Sequence, residues 1–504
     1  MAKLDTLSLL SDKLLPGIQN QTLEMPPPAI SNAPEKILLL GWGKFMRGFV
    51  PDFVQSANAK DHYAGRILAV QRYTDYRSEA AAQQRGLYTL IARGLEQGRQ
   101  VERKRIIGSV SRLLCADREW ADVITAVQKP EMRVIVSNAT ETGLRIDSQD
   151  EPGSSPPQGF PGKLTRLLLE RWQATGGNEA DIAIIPTELV LDNGALVQRL
   201  ILDQACAWHL RSGFIDWIRN SVHVASTLVD RIVVGTPTPD LLAKECRALG
   251  YRDDLLTCCE PYYLFAIEAD DFTRQHFPLT GAARNVRYVE DLAPFRCRKL
   301  RLLNGPQMVL TTLGTLLDFR IVYQAVKDEQ IGPFAEATVW EEIIPAMGTE
   351  EEAVNTQYAR ECLQRISNPM VEHRLQGIRV DLTTKNAIRL FPSIRDYISR
   401  EKQLPKRLLL TVAATVAVAL RIDLEDINAE YIRSRWSSVA SRDNEPVLAF
   451  IHDVITRLSS SANEPLDVDV IAPEICAFFT QIQRDGLRSV LAQRSLRSSL
   501  ATNP

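Results

Sequence analysis

Gly41-Trp42-Gly43 has residue types and spacing suited to holding a phosphate. It follows the apolar run KILLL at 36–40 and precedes Lys44-Phe45-Met46-Arg47, a stretch able to start a helix. The first glycine permits a tight turn and the second lets backbone approach a pyrophosphate. A helix beginning there would aim its N–H groups at that anion. Met46 stands where the GxGxxG pattern has its third glycine, and the same residues would also serve a plain strand-to-helix turn. An acid at the end of the next strand would accept hydrogen bonds from the ribose hydroxyls of NAD, whereas an arginine favours the 2′-phosphate of NADP. That strand ends Val70-Gln71-Arg72, and the nearest acid is Asp75. Arg72 serves equally as a solvated loop residue, so NAD is the working expectation and NADP stays open.

Other reactive side chains form no recognisable set. His62, His209, His223, His276 and His452 have no ligand spacing, and HExxH, HxH and GxSxG are absent. Neither a metal nor a serine nucleophile is therefore expected. Cysteines at 115, 206, 246, 258, 259, 297, 362 and 476 make no CxxC pair. They read as reduced thiols of an intracellular chain, with the cytoplasm as the expected compartment. Lys plus Arg is 59 and Asp plus Glu is 62, a net charge of −3. That balance excludes a basic nucleic-acid binder and an acidic disordered chain alike. The longest apolar run, Leu408 to Leu420, would reach only about 20 Å as a helix, short of the roughly 30 Å bilayer core. It reads as a buried helix. Asp5 and Asp12 interrupt the apolar N-terminus and make it a poor signal peptide.

These residues need a scaffold, and the patterning supplies one. Unalternated apolar runs at 36–43, 66–71, 132–140, 181–191 and 230–235 read as strands covered on both faces. Helical stretches at 117–128 and 162–172 lie between them, which predicts a mostly parallel, doubly wound sheet. Beyond about residue 290 helical periodicity takes over, at 297–328, 334–346, 350–366, 405–421, 445–459 and 472–495. The expected fold is an α/β Rossmann-type domain over 36–290 followed by a mostly helical domain over 291–504. Residues 1–35, with the proline run MPPPAISNAP at 25–34, are expected to form a leader and linker, and 151–162 a Pro/Gly-rich loop.

Five segments in order carry a resemblance: GWGKFMRGF at 41–49, SNATETG at 137–143, STLVDRIV at 226–233, CEPYYLFAIE at 259–268 and KLRLLNG at 299–305. They resemble signatures of the polyol-specific long-chain dehydrogenases, the mannitol dehydrogenase family. The chain is most similar to the uronate reductases of that family, through FPGKLTRLLLERW at 160–172, PTELVLDNG at 186–194, EEIIP at 341–345 and ISNPMVEH at 366–373. The resemblance implies hydride exchange between a nicotinamide dinucleotide and a secondary alcohol or ketone, without metal. The implied pair is a keto-uronate such as D-tagaturonate and an aldonate such as D-altronate. A polyol dehydrogenase, or a homologue that binds nucleotide or sugar acid without turnover, is the alternative.

The resemblance also implies roles. Lys299 would be the general acid and base, and Asn304 would hold the substrate oxygen, with the active site in the cleft between the domains. The third catalytic position carries Gln307 where the family has histidine. Gln307 can hydrogen-bond but cannot titrate. Pro306 precedes it where the uronate reductases have alanine, and is expected to kink or break the helix. Asp230 matches an acid near the substrate. Lys385, His373 and Arg379 would hold a carboxylate. Gly377 and Leu189 replace an arginine and an oxygen-binding asparagine of the mannitol enzymes. Gly41, Gly43, Phe45, Arg47, Arg72, Asn138 and Glu141 would line the cofactor site. The expected partner is a small sugar acid or polyol, with no nucleic acid or membrane, in a monomer or small homo-oligomer.

Overall fold

The computed structural model describes residues 7–96, 98–140, 143–177, 180–370, 373–439, 443–462 and 464–493. The chain divides into two units. The first runs to Ala293 without 95–99, and the second comprises 95–99 and the residues from Pro294 on.

The first unit is built on a six-stranded sheet. Its strands are β1 (Glu35–Leu40), β2 (Arg66–Gln71), β3 (Val110–Cys115), β4 (Val134–Ser137), β5 (Ile182–Pro186) and β6 (Val222–Val224). Their spatial order is β3-β2-β1-β4-β5-β6, and every neighbouring pair is parallel. The order reverses between β1 and β4. In doubly wound sheets that switch point opens a crevice beyond the carboxyl ends of the strands, where ligands bind. Side chains alternate faces along each strand. Ile37, Leu39 and Ala69 therefore pack on one side with Phe53 of the Val50–Ala59 helix and with Phe49, which precedes it. Leu38, Leu40, Leu68 and Ile135 pack on the other against the helices Ala116–Val127 and Phe160–Thr175. Strand β3 escaped the sequence reading because it is an edge. Its Ser111 and Arg112 interrupt the apolar pattern and both hydrogen-bond the Glu35 carboxylate.

Two expectations are corrected. The run at 230–235 does not enter the parallel sheet. Asp230 ends a strand, Ser226–Asp230, of a separate three-stranded sheet, and Val233–Gly235 pairs antiparallel with Thr257–Cys259. Residues 7–34 are not a detached leader. Leu23–Glu24 pairs with Lys104 and Arg105, and Leu10 and Leu23 are buried with Ile91, Ile106 and Tyr251. The prolines at 26–28 follow that short strand, so none of them interrupts a ladder.

The second unit is helical. Its centre is Lys406–Arg421, where every residue from Leu408 to Ala419 is buried. A helix apolar on all sides must sit inside a core, and no helix among the described residues is long and apolar enough to cross a membrane. The stretch at 297–328 divides after Leu316, past which Asp318 takes a left-handed φ of 60°. The Leu382–Glu401 helix, hidden in the sequence by its internal Pro392, packs beside it.

Candidate active site

The Gly41 turn lies at the switch point. Gly41 has φ of 120°, and a Cβ there would come within 2.9 Å of the Asn138 carbonyl oxygen. Only glycine allows β1 and β4 to approach this closely at their ends. A Cβ on Gly43, in contrast, would meet nothing within 4 Å. Backbone is thus exposed to open space on the crevice side, as a pyrophosphate requires. The helix that follows is a single turn, Lys44–Arg47, uncapped by any side chain. The chain then bends at Gly48 and resumes as Val50–Ala59.

Other loops complete the crevice. Asn138 donates from Nδ2 to Thr187 Oγ1 at 3.1 Å, tying the end of β4 to that of β5. Glu188 accepts the Ala139 N–H at 2.9 Å through Oε1. The Ser137 hydroxyl lies beside this carboxylate. Burial pushes the Glu188 carboxyl up, against the pull of the Ala139 N–H and the Ser137 hydroxyl. A glycine turn at the switch point, open at the Cβ position of Gly43, fits a dinucleotide; Gly41, Gly43 and Asn138 are the residues that would seat it.

Arg47, expected at the cofactor site, braces the turn. It is 2% exposed. Its guanidinium donates to the Trp42 carbonyl at 3.3 Å and to Thr257 Oγ1 at 3.2 Å, while its own carbonyl accepts from Tyr88 OH at 2.6 Å. A single helical turn carries no periodicity from which that orientation could be read. Phe45 stacks on Phe49, with ring centroids 4.7 Å apart. Arg72 is exposed just past β2, its guanidinium over the Tyr73 ring. Glu141 lies outside the described residues.

Several residues that the sequence reading passed over hold this half together. Arg231 is buried and donates to the Gly48 carbonyl at 2.8 Å and to Asp52 at 2.9 Å, fixing the bend after the glycine turn. Its neighbour Asp230 is 5% exposed at the end of its strand. The Asn193 amide bonds Thr227 and the Glu188 carbonyl, locking the loop after β5. The VDR and DNG triplets were the available signals for Arg231 and Asn193.

Where the second unit begins, Ala293–Arg298, Lys299–Asn304 and Gly305–Leu316 follow one another as α, π and α segments. In an α-helix, residues five apart lie about 140° apart around the axis. The wider π-turn closes i to i+5 and brings such residues to one side. Lys299 and Asn304 are five apart and bound this π-turn. Asn304 Nδ2 donates to Gln307 Oε1 at 3.2 Å, joining the third position to the second.

Pro306 does not break this helix. The backbone stays helical through Asn304 and Gly305, and Pro306 sits in the first turn of the next segment. A second π-turn, Val339–Ile343, likewise ends just before a proline, Pro345. Proline lacks an N–H and its ring crowds the carbonyl four residues back, and the widened turn accommodates both. The Leu382–Glu401 helix packs against the Lys299 segment and is tied to it by an Arg301–Asp396 ion pair. It carries Lys385, whose Nζ donates to the Ile378 carbonyl at 3.4 Å. His373 and Arg379 flank the short helix Leu375–Ile378, and the His373 carbonyl accepts the Val322 N–H at 2.9 Å. Leu189 is 65% exposed in the loop after β5. No group of three or more His, Cys, Asp or Glu residues that could hold a metal occurs among the described residues.

This fold and these motifs define an oxidoreductase built on a Rossmann sheet. The chain matches the mannitol dehydrogenase Rossmann domain over residues 35–281 and the mannitol dehydrogenase C-terminal domain over 291–443. It belongs to the mannitol dehydrogenase family. Among its relatives is an altronate oxidoreductase of Bacillus subtilis, 34% identical over 76% of this chain and 79% of that protein. Another altronate oxidoreductase, of Klebsiella pneumoniae, is 35% identical over 91% of this chain and 96% of its own. Two solved structures share the fold. Pseudomonas fluorescens mannitol 2-dehydrogenase, in ternary complex with NAD and D-mannitol, is 21% identical with a TM-score of 0.74, covering 96% of this chain and 98% of its own. A substrate-free D-sorbitol dehydrogenase is 20% identical with a TM-score of 0.80, covering 96% of this chain and 100% of its own.

Proposed function

We propose that this protein interconverts a keto-uronate of the D-tagaturonate kind and its aldonate, of the D-altronate kind, using a nicotinamide dinucleotide. The observation that carries the reading is identity of about 35% to altronate oxidoreductases over most of the chain, and the π-turn that Lys299 and Asn304 bound supports it. The bound nicotinamide supplies the hydride in reduction and takes it back in oxidation. Lys299 gives its Nζ proton to the carbonyl oxygen as that oxygen gains charge, and removes the hydroxyl proton in the reverse direction. Asn304 donates an N–H to the same oxygen and stabilises its charge. Gln307 holds the Asn304 amide through its Oε1. It cannot titrate, so Lys299 alone carries the proton.

The substrate's carboxylate is taken by cations of the second unit, Lys385 with His373 and Arg379 as candidates. Leu189, apolar where the mannitol enzymes carry an oxygen-binding asparagine, counts against plain mannitol chemistry. Purified protein given reduced dinucleotide with tagaturonate, fructuronate or fructose should consume the dinucleotide fastest with tagaturonate. Faster turnover of fructose would assign a polyol dehydrogenase. No turnover with any of the three, alongside measurable dinucleotide binding, would assign a binding protein.

A further inference from the structure

The Leu382–Glu401 helix runs antiparallel to the stretch from Arg301 to Thr312, and three contacts fix the register. Asp396 pairs with Arg301, Arg389 Nη1 lies 3.4 Å from Met308 Sδ, and Asn386 Nδ2 donates to Thr312 Oγ1 at 2.9 Å. As the first helix advances from Arg301 to Met308 to Thr312, the second retreats from Asp396 to Arg389 to Asn386. Residues spaced by three, four and seven lie along one side of a helix. The gap of two turns between the first and second contacts leaves room for one further rung. On the Leu382–Glu401 helix that rung is Ser393, and on the other it falls at Asn304 and Gly305. A Cβ on Gly305 would meet Ile343 Cδ1 at 3.3 Å, so that position faces a different element. Asn304 is left as the side chain opposite Ser393.

Ser393 is 1% exposed, and its Oγ is buried without a hydrogen-bond partner. A serine or threonine inside a helix commonly returns its hydroxyl to the carbonyl four residues back. Thr338, Thr411 and Thr415 do so in this unit, at 2.7, 2.9 and 2.8 Å. Ser393 does not, and a buried polar group left unpaired costs stability unless another state uses it. The Asn304 amide, in turn, is only partly engaged. One of its N–H groups goes to Gln307, and its Oδ1 accepts no hydrogen bond among the described residues. We propose that Ser393 is a positioning residue for the reaction: with substrate bound, its hydroxyl donates to Asn304 Oδ1 and aims the remaining Asn304 N–H at the reacting oxygen. The inference rests on the roles proposed above for Lys299 and Asn304. An amide has one oxygen and two N–H groups to place. Ser393, Gln307 and the substrate then take one each.

Steady-state kinetics and thermal melts of Ser393→Ala, with a double-mutant cycle against Asn304→Ala, decide the matter. Ser393→Ala should lower kcat about tenfold, as for one lost hydrogen bond, with little change in KM. Its melting temperature should hold or rise, because the variant removes an unpaired buried hydroxyl. In the Asn304→Ala background the same substitution should cost nothing further. An unchanged kcat in Ser393→Ala, or losses that add in the double variant, would overturn the inference and leave the Lys299 mechanism standing. A loss of kcat accompanied by a lower melting temperature would make Ser393 a structural residue and overturn it as well. Wild-type kcat in Asn304→Ala, or a wild type that turns over none of the three sugars, would overturn both.

Discussion

At the scale of residues, the proposed chemistry falls on a short stretch of one helix. Asn304 is proposed to touch the reacting oxygen and Gln307 to hold Asn304, and the two should fail differently. Asn304→Ala should lower kcat by about 10²–10³, the usual cost of one lost oxyanion donor. Gln307→Leu should cost about tenfold in kcat with little change in KM, the loss of one orienting hydrogen bond. Steady-state kinetics on both variants checks this, and an equal loss in each would mean that Gln307 touches substrate itself. The glycine turn was legible in the sequence because a tight turn with close backbone approach leaves few alternatives to glycine. Glu188 was not. Its partner Ala139 meets it only once β4 and β5 lie side by side.

At the scale of elements, two close fits do the positioning. Gly41 allows β1 and β4 to converge, so Gly41→Ala should weaken dinucleotide binding at least about tenfold and lower the melting temperature. A left-handed φ and a 2.9 Å clash with the Asn138 backbone both act against it. Unchanged affinity in a titration would show that the turn does not form the site. The π-turn at Lys299–Asn304 is the second fit, and it was not legible. Pro306 was read as a helix breaker, yet the neighbouring turns of helix continue on either side. Local propensity registers the missing N–H but cannot foresee that a widened turn will accommodate it. The buried parallel strands, by contrast, were plain from their unbroken apolar runs. The edge strand β3 and the short strands outside the main sheet were hidden because polar residues interrupt them.

At the scale of the whole molecule, two buried carboxyls, one in each unit, respond to acid in opposite senses. In the first, burial alone would raise the Asp52 carboxyl, but Arg105 and Arg231 hold it below the ordinary aspartate range. Its contribution to stability is present above the unfolded value near pH 4 and lost as pH falls further. In the second, burial pushes Glu342 up to about 7, although it accepts the Arg407 and Leu408 N–H groups at the start of the central helix. A raised folded value means stability fully present below about pH 4.5 and lost as pH rises toward 7. Thermal melts should therefore show a transition that moves up between pH 7 and pH 5 and is flattened by Glu342→Gln. A wild-type profile flat over that range would contradict the assignment. The proposed reaction, however, stands on one proton donor, and the most direct test is turnover by Lys299→Ala, assayed as aldonate oxidation beside a dinucleotide titration. A general acid or base contributes about 10²–10⁴ in rate. A loss of that size with dinucleotide affinity unchanged is the predicted result, and full activity in the variant would contradict it.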